Sequence, residues 1–203
     1  MATEIQRTGT VEDIALGNGL YLDGEAVRNQ DGSYRTDTLV GWEHNLAGVG
    51  KSIATVEHYV TAFEQLLSKK NIPSLRGLVQ DLRESALCAG RIDYSQSNLP
   101  QGSGYMSNLL LQDSAWKGAL EKELFHRDVV EAVSLLRKAS GKEPYIWTPS
   151  AKERRNTPER AVWLHIDAGR FDFGCYYNPI ISVGRARGVR QESAEGVQKK
   201  ETA

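Results

Sequence analysis

Three groups of residues have the types and spacing to do chemistry. The first is Trp163, His165 and Asp167 in "AVWLHID". On a strand these three alternate onto one face and Val162, Leu164 and Ile166 onto the other. An imidazole beside a carboxylate is the makings of a general base with its orienting group, or of two metal ligands. The same alternation is expected of any half-buried strand with an aliphatic core face, and that plainer reading is preferred.

The second group is "NLAGVGKS", residues 45–52. Gly50, Lys51 and Ser52 match the end of a phosphate-binding loop, in which backbone amides cradle phosphates, Lys neutralises them and a hydroxyl holds magnesium. Position 45 is Asn where that loop needs Gly. The candidate metal-binding carboxylate, Asp167, lies far downstream, with no strand-helix repeats between. The stretch is read instead as a glycine turn opening an amphipathic helix that Ser52 caps.

The third group is the richest. Between residues 145 and 190, Tyr145, Trp147, Trp163, Phe171, Phe173, Tyr176 and Tyr177 are interleaved with Arg154, Arg155, Arg160, Arg170, Arg185, Arg187 and Arg190. Arginine grips phosphate bidentately and stacks on planar rings. Aromatics beside it on a sheet are the ingredients of a single-strand or RNA platform. Arg154, Arg155, Arg160, Arg170, Tyr176, Arg185, Arg187 and Arg190 are therefore the candidate nucleic-acid contacts. The same composition also describes protein-interface hot spots, and a sheet with buried aromatics and a solvated basic rim would carry it too.

Charge distribution agrees with the third group. Residues 1–50 carry 3 Lys/Arg against 8 Asp/Glu, and residues 141–190 carry 9 against 5, although the whole chain has a formal net charge of −1. A basic end facing a polyanion is one account; attraction between the two ends within one fold is the other. The four histidines and two cysteines show no zinc-ligand spacing. No nucleophile-elbow motif occurs. No metal, cofactor or catalytic residue is assigned.

The elements that must position these groups follow from periodicity. Residues 10–43 read as an antiparallel β meander, with turns at Gly17-Asn18-Gly19 and Asp31-Gly32. Ile53, Val56, Val60, Phe63 and Leu67 give a helix over 51–69. Leu75, Leu78, Leu82 and Ala86 give a second, capped by Gly90. Residues 91–104 read as an exposed loop. A third helical region spans about 113–139, with a change of apolar phase that either a broad buried face or a break near Arg127-Asp128 explains, and Gly141 ends it. Strands return at 145–147 and over 160–188, with bends near Gly169 and Asn178-Pro179.

The expected fold is a single α+β domain over 1–190: an N-terminal antiparallel meander, a central helical region and a C-terminal antiparallel β region, with a sheet that combines both chain ends. Residues 191–203, with one aliphatic residue, are expected to be a disordered tail. No stretch is apolar enough for a membrane span, the amino terminus has no secretory pattern, and two distant cysteines suit a reducing compartment, so a cytoplasmic protein is expected. A binding role ranks above an enzymatic one. The leading partner is a nucleic acid, single-stranded or RNA, or a nucleoprotein complex. A protein-protein adapter or inhibitor is the first alternative, and a small hydrolase or phosphotransfer enzyme using His165/Asp167 or the Lys51 loop is the second.

Overall fold

The structure, a computed structural model, describes residues 12–180 and 182–192, without the side chain of Tyr176. The elements run β1 (Ile14–Gly17), β2 (Leu20–Leu22), β3 (Asp37–Thr38), α1 (Leu39–Ala47), β4 (Ser52–Ile53), α2 (Val56–Ser68), α3 (Ile72–Glu84), β5 (Leu87–Asp93), β6 (Gly102–Tyr105), α4 (Met106–Gln112), α5 (Ser114–Leu120), a π-helical turn (Glu121–Phe125), α6 (Val129–Ser140), β7 (Glu143–Thr148), α7 (Ala151–Asn156), β8 (Glu159–Ile166), β9 (Arg170–Tyr177), β10 (Val183–Gly184) and β11 (Gly188–Gln191). The fold is α+β, as its sequence implies.

Both chain ends do share a sheet. The order is β1-β2-β11-β4, antiparallel throughout, with Val189 opposite Leu22 on one side and Ser52 on the other. Gln191 belongs to β11, and the Glu192 N–H donates to the Gly19 carbonyl. These two residues of the expected 191–203 tail are therefore held by the sheet, and the rest of that stretch lies outside the described residues.

The larger sheet has the order β5-β8-β9-β7-β6. Its pairs are antiparallel except β7 with β9, which run parallel. A wholly antiparallel C-terminal region was expected. The parallel pair arises because α7 and β8 carry the chain back before β9 runs alongside β7.

One face of this sheet is covered by helices. Phe63 of α2, Leu78 and Leu82 of α3 and Leu136 of α6 pack with Val162, Leu164, Ile166, Phe171 and Phe173 in one core. The aliphatic face of β8 is thus core, as the alternation implied. Among the described residues, the opposite face is covered only at its β5–β8 end. There Leu39, Trp42 and Leu46 of α1 pack with Cys88, Ala161, Trp163 and Ala186 in a second cluster. The Trp42 indole N–H donates to the Gly184 carbonyl at 2.9 Å. Across β9, β7 and β6 no described residue covers that face.

Several boundaries differ from expectation for identifiable reasons. Residues 39–47 form α1 rather than strand, capped at its start by Thr38, whose side chain accepts from the Gly41 N–H. Gly90 is not a helix cap: it lies inside β5 with φ +95, where the register slips between Cys88 and Arg91. Residues 91–104 are not one loop, because they complete β5 and supply β6. Of the two explanations of the phase change in 113–139, the break near 127–128 is the one present, with the π-helical turn closed by His126 in the left-handed region and α6 started by Asp128 accepting from the Glu131 N–H. Gly141, at φ +70, ends α6.

Candidate functional site: an open aromatic face with a glycine gap

Register assembles the open face. Opposite one another across four strands stand His165, Asp172, Tyr145 and Tyr105, and the neighbouring row is Trp163, Gly174, Trp147 and Ser103. Residues directly opposite on one face touch. Tyr105 and Tyr145 do so at 5.0 Å, edge to face, and along β7 Tyr145 also meets Trp147, two residues on, at 5.4 Å. The Arg170 guanidinium lies over Tyr145 at 4.4 Å and Trp147 at 5.5 Å. Tyr105 and Trp147 are 40% and 36% exposed, high for aromatic residues in a sheet.

Gly174 interrupts the second row. With no side chain there, Trp163 and Trp147 are separated by a gap, and a cavity of about 300 Å³ opens between them, bordered by His165, Asp172 and Tyr177. Tyr177 reaches this face because β9 carries an extra residue between its pairings with Ala161 and Trp163, a bulge that moves Tyr177 out of line with Phe171 and Phe173. Its ring overhangs the gap, 2.4 Å from where a Cβ on residue 174 would sit. Trp163 is 2% exposed, packs edge to face with Tyr177 at 6.3 Å, and has an indole N–H with no hydrogen-bond acceptor among the described residues.

The charges here are matched. Arg170 Nε sits 2.7 Å from Asp172 and 3.6 Å from Asp167. Burial holds the Asp172 carboxyl above its ordinary range, against the pull of Arg170 and a hydrogen bond with Trp147. Asp167 is not the partner of His165. Its carboxylate closes the β8–β9 turn, accepting from the Gly169 and Arg170 N–H groups at 2.7 and 2.8 Å, which hold it below the usual carboxylate range. Asp172 takes the cross-strand position beside His165, and among the described residues His165 makes no hydrogen bond. An imidazole with no hydrogen-bonded carboxylate lacks the orienting contact of a base pair of this kind.

The Lys51 loop offers no phosphate cradle either. Gly48 and Gly50 terminate α1, so the amides there belong to a helix end rather than a helix start. Lys51 pairs with Asp23 across a largely buried contact. The helix that follows begins at Val56 and is capped by Thr55, not Ser52.

The candidate arginines do not form one patch. Arg187 is buried at 1% and pairs with Asp81. It is withdrawn from any ligand, which corrects its assignment as a contact. Arg160, at 7%, donates to the Glu153 carbonyl and is likewise withdrawn. Arg154 is spent on the carbonyls of Pro149, Leu99 and Pro100 and lies over Tyr94. Arg185 pairs with Glu84 and covers Tyr34; Arg190 pairs with Asp13 and covers Tyr21. Only Arg170 borders the open face. Arg155, on α7 just past the end of β7, is exposed and has no ion pair among the described residues. The side chain of Tyr176 lies outside the described part.

What the sequence reading missed is the contribution of β6 and β7: Tyr105, Tyr145, Trp147 and the gap at Gly174 act together only once register is known. Cys88 and Cys175 are free and buried, and burial pushes the Cys88 thiol up to about 12. Among the described residues no cluster of three or more His, Cys, Asp or Glu is placed to hold a metal ion, and no helix is long and apolar enough to cross a membrane. No protein-family model, no curated protein and no solved structure matches this chain.

Proposed function

We propose that this protein is a non-enzymatic binding protein that stacks unpaired bases of a single-stranded nucleic acid on its open β9–β7–β6 face. The observation that supports this reading is the Gly174 gap between Trp147 and Trp163, continuous with the half-buried ring of Tyr145 and the exposed ring of Tyr105. Every base has a π-face, and stacking on an aromatic side chain contributes about 1–3 kcal/mol per base. Asp172 and His165 at the rim of the gap supply hydrogen-bonding groups for a base edge. Because Arg170 is neutralised by Asp172 and Asp167, phosphate contact falls to Arg155 and to Lys152 of the same short helix. Salt dependence is therefore shallow, with a log-log slope of about −0.7 per phosphate contact on single strands.

Fluorescence anisotropy with labelled single- and double-stranded oligonucleotides across a salt series tests this. Trp147→Ala and Tyr105→Ala should each weaken single-strand binding by about tenfold with an unchanged slope; Arg155→Ala should flatten the slope. Absence of binding to every single strand at low salt defeats the reading. A protein partner is the second reading, favoured by the Arg170–Asp172 pairing, which leaves the face without net positive charge.

A further inference from the structure

A second group of unpaired cations among the described residues lies on the opposite side of the sheet, along α3. A groove of about 670 Å³ runs from Ile72 in the first turn of this helix to Arg83 in its last, bounded by Ala139–Gly141 where α6 ends. Its apolar floor is Ile72, Leu75, Val79 and Ala139, and Ile72 is 44% exposed. Arg76 and Arg83 stand exposed on its rim, and neither has an ion pair or hydrogen bond among the described residues. Lys69 and Lys70, in the turn entering α3, and Lys138, beside Ala139, are likewise exposed and unpaired. Nearby carboxylates are engaged elsewhere: Glu84 with Gln80 and Arg185, Glu143 with Arg137.

Gly77 is a second, independent feature. It sits in the middle of α3 on the groove, where glycine weakens a helix relative to alanine. A Cβ at this position would meet no atom of the described residues within 4 Å. Nothing among the described residues requires glycine there, whereas close approach of another backbone would.

We infer that the α3–α6 groove is a docking site for an acidic amphipathic helix of a protein partner. The apolar floor takes aliphatic side chains, Gly77 admits the backbone of the incoming helix, and the unpaired cations face its carboxylates. The 13 residues of α3 give the groove about three turns of length. No aromatic residue among those described lines it, so stacked bases find no platform in that lining, which favours a peptide over a nucleic acid.

The test is anisotropy with three fluorescein-labelled probes: a 14-residue helical peptide with Leu on one face and Glu on the other, the same peptide with Lys replacing Glu, and a 20-nucleotide oligo-dT. The acidic peptide should bind and the basic one should not. Arg76→Glu/Arg83→Glu should weaken peptide binding by at least about tenfold with little change in Tm, because both side chains are exposed and unpaired. The milder Arg76→Gln/Arg83→Gln variant should weaken it several-fold. Gly77→Leu should raise Tm yet block the peptide, a combination that a purely structural role for Gly77 does not give. Trp147→Ala should leave peptide binding intact, which separates this inference from the sheet-face reading. No acidic-peptide binding up to about 1 mM, or binding indifferent to the charge reversal, overturns the proposal. So does loss of oligo-dT binding in the charge-reversed variant without peptide binding, which assigns the cations to phosphates.

Discussion

The Arg187 guanidinium and the Asp81 carboxylate face each other inside the protein, with 1% and 6% of their side-chain surfaces exposed. Arg187 also donates to the Asp23 and Gly24 carbonyls, and Asp81 accepts from the Ala26 N–H and the Tyr34 hydroxyl. The ion pair thus fastens the residue preceding β11 to α3, and its hydrogen bonds add the 23–34 segment. Removing either partner leaves the other charge buried and uncompensated. Arg187→Ala or Asp81→Ala should cost about 3–5 kcal/mol, and a paired apolar replacement should recover much of it. Urea denaturation measures this; single-variant losses below about 1 kcal/mol would contradict the assigned role.

Lys51 is a smaller instance of the same device. Its ammonium meets the Asp23 carboxylate, with side-chain exposures of 17% and 13%, and Asp23 also accepts from the Gly188 N–H. Lys51→Ala should therefore destabilise the fold by about 1–2 kcal/mol, since the contact is shielded from solvent more than a surface pair. Thermal denaturation with and without ATP is the check. An unchanged Tm together with lost nucleotide binding would reverse the interpretation.

Two glycines should respond differently to alanine. At Gly184 a Cβ would meet Trp163 Cζ3 at 2.4 Å and the Ala86 carbonyl oxygen at 2.8 Å. The backbone oxygen cannot swing aside, so Gly184→Ala should cost about 2–3 kcal/mol. At Gly174 the obstacle is the half-buried Tyr177 ring, which can move outward. Gly174→Ala should cost about 1 kcal/mol or less while narrowing the gap, so oligonucleotide affinity should fall more than stability. Equal stability losses at the two positions would be the wrong outcome.

His58 makes stability pH-dependent. Its Nδ1 accepts from the Thr55 N–H at 3.0 Å at the start of α2, and burial holds the imidazole below its ordinary value. A histidine with a depressed folded value binds its proton more readily when unfolded. Its contribution is complete above the unfolded value near 6.5 and is lost as pH falls through the lower folded one. Tm should drop between pH 7.5 and pH 5.5, and His58→Gln, which keeps an acceptor without the titration, should show a smaller drop. Parallel pH profiles would remove His58 as the cause.

Much of this architecture is legible in the residue order. The stripes Val56–Val60–Phe63 and Leu75–Leu78–Leu82 are buried faces of α2 and α3, and Val162, Leu164 and Ile166 are core. The glycines were harder. Gly90 follows an apolar helical stripe and so resembles a cap, yet its positive φ serves an irregularity in β5. Gly41 obscured the Leu39–Trp42–Leu46 spacing of α1. The arginine cluster illustrates a different limit. Composition counts charges but cannot say whether each has a carboxylate nearby, and Asp13, Asp81 and Glu84, which take Arg190, Arg187 and Arg185, lie more than a hundred residues away from them. The open face depends on strand order and on a bulge, neither of which local periodicity encodes.

The insertion of β11 between β2 and β4 has a consequence for synthesis. Strands at the start of the chain, Leu20–Leu22 and Ser52–Ile53, have no pairing with each other and meet only through residues 188–191. While the ribosome is still extending the chain, both present unpaired backbone for as long as the intervening residues take to emerge, on the order of ten seconds at 5–20 residues per second. The helices, built from local contacts, form within that interval. The nascent protein therefore completes its first sheet last, and a chain halted before Gly188 holds two open strand edges together, the state in which a chaperone or another nascent chain competes most directly with native pairing.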